Sequence, residues 1–275
     1  MNIDGHDIGV CSWSLRPRDL DDLFQKVRRL GLSHVQLAVA DFVSADDASC
    51  QAMIRQVASS GLKLTATMIH FPGEDYTTIA SIRRTGGYVP DDRWNDRKAA
   101  SVAAGRITRD LGVNKLSTHV GFVPPSSDPA YATIVGRVGE IAGELASLGV
   151  SLLMETGQEA ATELLQFLND LRCRNVGINF DPANMILYGA GDPIEAIRTL
   201  GRHIWHVHVK DAVGSDHPGT NWGEEVPFGS GQVPVTEFLN ELDSVGYRGP
   251  LVIEREAGED RLADVATAIR TLQGA

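Results

Sequence analysis

Several features that would assign a function quickly are missing from this chain. Its three cysteines, Cys11, Cys50 and Cys173, are far apart and form no Cys-x-x-Cys pair. A disulfide framework or a thiolate zinc site is therefore not expected, and a reducing cytoplasm fits. No apolar run approaches the roughly 18 residues needed to cross a bilayer. The opening stretch, Met1 to Gly9, is polar and carries Asp4 and Asp7, unlike the basic-then-apolar form of a secretion signal. Basic surplus is absent too. Lys and Arg number 25 against 36 Asp and Glu, a formal charge of −11, so no nucleic-acid partner is expected. Nor does a Gly-x-Gly-x-x-Gly follow the first apolar run, which counts against a doubly wound dinucleotide fold.

What is present is an alternation. Eight short apolar or β-branched runs read as strands: Ile8–Ser12, His34–Val39, Lys63–Ile69, Lys115–Val120, Ser151–Glu155, Val176–Phe180, Ile204–Val209 and Leu251–Glu254. Between them lie stripes of helical period, such as Leu20, Leu23, Phe24, Val27 and Leu30, or Ile134, Val138, Ile141, Leu145 and Leu148. Gly31, Gly61, Gly112, Gly149 and Gly246 punctuate the ends of helical stripes just before a following strand, where a left-handed cap is wanted. Eight such units in this length predict a single (β/α)8 TIM barrel, read as one domain over residues 1–275. Two connections, Phe71 to Arg93 and Asp211 to Val233, are long enough to be lids or substrate walls.

Barrels carry their chemistry at the C-terminal ends of strands. Here six successive strands end in an ionisable or coordinating group: His70, His119, Glu155, Asp181, the row His206, His208 and Lys210, and Glu254. Each alone has an ordinary explanation; Asp181, before Pro182, reads equally well as a helix N-cap. Three carboxylates at one mouth would repel one another without a cation. With one imidazole they form an oxygen-rich set suited to one divalent ion, Mn2+, Mg2+ or Co2+ in preference to Zn2+. Trp13, Trp222 and Phe228, with Trp94 a further candidate, offer apolar surface for the C–H face of a sugar. Arg83, Arg84 and Arg93 fit surface charge better than a phosphate site.

The motifs Met154-Glu155, Phe180-Asp181-Pro182-Ala183-Asn184, His206-Val207-His208-Val209-Lys210-Asp211, Pro227-Phe228-Gly229-Ser230-Gly231 and Val252-Ile253-Glu254 resemble the xylose isomerase-like barrels. That superfamily holds sugar phosphate isomerases and epimerases together with endonuclease IV-type repair enzymes. The resemblance implies Glu155, Asp181, His208 and Glu254 as metal ligands, with Glu155 and Glu254 as the acid/base pair and His206 in a supporting position behind them. His70, His119, Asn184, Lys210 and Trp13 would then contact substrate. It further implies an isomerase or epimerase acting on a small polyhydroxy ketone or aldehyde; the cysteines and the short apolar runs add the expectation of a cytoplasmic protein without membrane attachment, compatible with a homo-oligomer. Two positions depart from the ketose 3-epimerases. Asn184 stands where they tend to have histidine, and Ala212-Val213-Gly214-Ser215 lacks their arginine. The His-x-His-x-Lys-Asp form is closer to the inosose dehydratase-like lyases, the principal alternative. A sugar-binding barrel without turnover is a third reading. A trinuclear repair nuclease is disfavoured, because Asn184 and Gly223-Glu224-Glu225 stand where its further ligands would be.

Overall fold

Eight parallel strands close on themselves in chain order in the computed structural model, which describes residues 1–275. They are His6–Cys11 (β1), His34–Ala38 (β2), Lys63–Met68 (β3), Lys115–Thr118 (β4), Ser151–Glu155 (β5), Val176–Phe180 (β6), Ile204–Val209 (β7) and Leu251–Ile253 (β8). Closure comes from β8 against β1, with Leu251 opposite Ile8 and Ile253 opposite Val10. A two-residue strand, Asn2–Ile3, folds back antiparallel on the start of β1. The expected (β/α)8 barrel is what forms; β2, β3, β4 and β8 are one or two residues shorter than the sequence pattern suggests, and β1 begins two residues earlier.

The strand period of two separates the side chains into two sets. Val10, Val35, Leu152, Ile178, Val207 and Ile253 belong to the buried core, together with helical stripes such as Leu23, Phe24 and Val27 or Ile134, Val138 and Ile141. Burying each such side chain stabilises the fold by about 1.5–3 kcal/mol, so this outer layer holds the barrel closed. Aspartates cap the helix starts; Asp19, Asp46, Asp192 and Asp260 each accept a backbone N–H of the first turn. The five punctuating glycines all take left-handed φ, between 71° and 79°, as their place after the helices requires.

The inner layer is the unexpected part. Barrel interiors are usually packed with branched apolar residues. Here Cys11, Gln36, Asn179, His206 and His208 are buried and joined by hydrogen bonds. Register shifts at Val35/Gln36 and Ile178/Asn179 help set this arrangement, the second bringing Asn179 opposite His206. The long connections become walls. Residues 71–93 contain the helix Ile79–Thr85, and residues 211–233 contain a hairpin pairing Asp211–Val213 with Glu224–Val226. The Asp211 carboxylate accepts N–H groups from Gly229, Gly231 and Val233, which pins the Phe228–Gly231 turn to the end of β7.

Candidate active site

Start at the lower end of the polar column. His206 donates from Nδ1 to Asn179 Oδ1 at 2.7 Å, and its Nε2 lies 3.0 Å from the Thr65 hydroxyl. Burial, with the charge of His208 beside it, holds this imidazole well below its ordinary pKa, so it stays neutral. Asn179 in turn donates to Glu155 Oε2 at 3.2 Å. His206 is thus linked through Asn179 to Glu155 from below.

One strand position further up, His208 has two differently occupied nitrogens. Nε2 donates to Gln36 Oε1 at 2.6 Å. Nδ1 faces Glu155 Oε1 at 3.4 Å, Asp181 Oδ2 at 3.4 Å and Glu254 Oε2 at 3.3 Å. One donor atom from each of the four residues falls within a single cluster, every pair no more than 4.8 Å apart. Desolvation pushes these carboxyls upward, but stronger opposing charges win. His119 and His208 hold Glu155 below its usual range, and Lys210 and His208 do the same for Glu254 and Asp181. Burial opposes charge on His208 as well, while Cys11, Glu254 and Glu155 raise it well above an ordinary imidazole. Three ionised carboxylates around one ring nitrogen, with the opposite nitrogen fixed by a carbonyl, form a donor set that could hold a divalent metal ion.

Asp181 divides its two oxygens between a helix cap and the cluster. Oδ1 accepts the backbone N–H of Asn184 at 2.9 Å and caps the short helix Pro182–Tyr188, while Oδ2 faces His208. The cap also carries Asn184 into place, where Nδ2 donates to Glu155 Oε1 at 3.0 Å. Trp13 Nε1 donates to Glu254 Oε1 at 2.8 Å. Lys210, buried, reaches Glu254 Oε2 at 2.8 Å, Glu256 Oε2 at 2.7 Å and Asn184 Oδ1 at 3.2 Å. Pairing of Lys210 with Asp211 does not occur, because Asp211 is taken by backbone donors.

Above the cluster opens a cavity of about 540 Å³. Trp13, His70, His119, Asn184, Lys210 and Glu254 all line it, so the structure brings the expected substrate contacts to one place. Trp222 joins them from the hairpin connection. Phe228 does not: it is buried in the outer core, carried there by the turn that Asp211 holds. Trp94 is also removed from the cavity, packed edge-on to Tyr88. Arg83 lies over the Phe122 ring, and Arg93 beside Asp92, so the arginines of the first wall stay off the lining.

Sequence reasoning missed Gln36, Asn179, Glu74, Glu256, Tyr76 and Tyr188. Gln36 left a readable trace, a polar residue alternating between Val35 and Leu37 on an otherwise apolar strand. Asn179 left the same trace between Ile178 and Phe180. The others come from loops and helix turns, where no periodicity marks which side chains converge.

Comparison with known proteins bears on the fold and the family. A crystal structure of a xylose isomerase domain protein from Planctomyces limnophilus superimposes with a TM-score of 0.89 at 35% identity, over 98% of this chain and 96% of that one. A xylose isomerase-like barrel protein from Mycobacterium smegmatis, solved in complex with magnesium, shares the fold at TM-score 0.74 and 16% identity, over 98% and 96% of the two chains. The ketose 3-epimerase of Arthrobacter globiformis is 24% identical over 237 residues, 84% of this chain and 75% of that protein. An uncharacterised Methanocaldococcus jannaschii protein is 32% identical over 96 residues, so the chain spans 30% of that relative's length. The family model described as xylose isomerase-like TIM barrel matches residues 24–274, and the chain belongs to that family.

Proposed function

We propose that this chain is a divalent-metal-dependent sugar isomerase or epimerase that removes a proton alpha to the carbonyl of a small polyhydroxy ketone or aldehyde. The observation that carries the reading is the pair Glu155 and Glu254, two ionised glutamates at the ends of β5 and β8 that face one imidazole nitrogen from different strands, at the floor of the cavity that Glu254 lines. A binding module has no need of paired buried bases. Glu155, Asp181, His208 Nδ1 and Glu254 would hold one ion, Mn2+, Mg2+ or Co2+, whose chemistry is to polarise the carbonyl and stabilise an enediolate. The ketose 3-epimerase name of one relative supports the same class.

The chain's own groups account for the proton traffic. One glutamate takes the proton from the carbon beside the carbonyl, and the other returns one to the opposite face or to the neighbouring carbon. The first outcome is epimerisation and the second isomerisation. Asn179 and Asn184 orient Glu155, Trp13 orients Glu254, and neither glutamate can rotate without breaking a hydrogen bond. The aromatic walls, Trp13, Tyr76, Tyr188 and Trp222 among them, offer apolar faces to the C–H side of a sugar ring.

Lys210 favours a second reading, a lyase that expels a β-hydroxyl as water. Its ammonium lies at the cavity floor against Glu254 and Asn184. Candidate ketoses and inososes incubated with metal-loaded protein in D2O separate these outcomes. Deuterium at a carbon alpha to the carbonyl supports proton abstraction, and loss of water supports the lyase. Absence of exchange with every substrate overturns both and leaves a binding protein.

A further inference from the structure

Whether the substrate carries a charge is decided by the cavity's free donors. Lys210 is the one ammonium in the lining, and no arginine lines it. An ammonium has three N–H donors. Those of Lys210 have three acceptors already, Glu254, Glu256 and Asn184, and the side chain is only 2% exposed. Neither Arg97 nor Arg255 reaches the lining. Arg97 points at the carbonyls of Thr85 and Gly87, and Arg255 at Glu225 and Asp264. The helix start facing the cavity is closed as well, since Asp181 accepts its Asn184 N–H.

Negative charge, by contrast, is in surplus. Glu256 cancels Lys210, and three carboxylates exceed the charge of one divalent ion. Glu74 adds a further carboxylate to the lining, held by the N–H groups of Phe71 and Gly87 without any ion pair. A phosphate or carboxylate entering here would meet like charge and find no free ammonium or guanidinium. Hydroxyls would find acceptors on Glu74 and Glu256 and apolar faces on Trp13 and Trp222.

We propose that the cavity accepts an uncharged polyhydroxy carbonyl compound, a free sugar or a cyclitol ketone, and rejects phosphorylated and carboxylated counterparts. The inference rests on the isomerase or epimerase reading above and narrows its substrate class. Its test uses the full chain with Mg2+ at pH 8, where free imidazole is neutral. Quenching of the tryptophan fluorescence is titrated with free ketohexoses and inososes, with their monophosphates and with matching keto acids. At least one neutral compound should bind, and its charged counterparts at least about tenfold more weakly. Glu256→Gln removes one negative charge that now offsets Lys210, so it should narrow that gap. Equal or tighter binding of a monophosphate or keto acid overturns the proposal, as does a series in which no neutral compound binds. Deuterium exchange on the same series reads the underlying function separately. A neutral compound that binds without exchange overturns the isomerase reading alone, and a phosphate that both binds better and exchanges overturns the charge selection alone.

Discussion

At the scale of single residues, His208 shows how one side chain can be set for one role. Its Nε2–H is fixed by Gln36, which leaves Nδ1 as the atom facing three carboxylates. Removing the acceptor frees the ring to change tautomer and tilt. Gln36→Leu should weaken divalent-metal affinity about 10–100-fold, measured by calorimetry on chelator-stripped protein. Unchanged affinity would mean that Gln36 does not orient the ligand. Asp181 divides its two oxygens between helix and cluster, and substitution can separate them. Asp181→Asn keeps a good capping oxygen but loses the anionic ligand, whereas Asp181→Ala loses both. In chelator the alanine variant should be about 1 kcal/mol less stable than the asparagine variant. Both should lose metal affinity alike.

At the scale of elements, a buried polar tie joins two connections at the strand ends. Glu159 lies in the turn after β5, and its carboxylate accepts the Val123 N–H from the connection after β4 at 2.8 Å. Burial pushes its pKa up to about 8, from an ordinary 4.5. A carboxyl held protonated by the fold contributes stability fully below its unfolded pKa and loses it as pH rises through the folded value. The window therefore runs from about pH 4.5 to about pH 8. Glu159→Gln keeps an acceptor for Val123 without a charge to bury. Its melting curve should match the wild type at pH 4 and show a gain on the order of 2 kcal/mol at pH 9. A wild type that becomes more stable from pH 5 to pH 8 relative to this variant would contradict the assignment.

At the scale of the whole molecule, the barrel keeps its apolar packing on the outside of the sheet and places a polar column along the axis. Such a column carries a cost unless every charge in it is balanced. The trio Glu155, Asp181 and Glu254 is balanced in part by His208 and Lys210, and a bound ion would add to that. Saturating metal at about 100 times its Kd stabilises a fold by about 2.7 kcal/mol. Chelation should accordingly lower the Tm by about 5 °C or more, and re-addition of Mn2+ or Mg2+ should restore it. Asp181→Asn should be nearly insensitive to the same treatment. A chelator-insensitive wild type would remove the basis for a metal centre.

The sequence by itself determined the periodicities. Helical stripes ending in glycine, alternating with eight short apolar runs, specify the barrel, because each amphipathic unit can bury its face only against its neighbours. It also determined which side chains stand at the strand ends, since a strand's last inward residue follows from counting by two. Tertiary structure decided how they are used. Register shifts set the height of Gln36 and Asn179 in the column, and no local pattern encodes which strand meets which. Whether Lys210 offers its charge to a ligand depended on Glu256, 46 positions away in the chain, and Phe228 went to the core because Asp211 holds its turn. Those outcomes depend on distances across the barrel, and such distances exist only once the chain has closed.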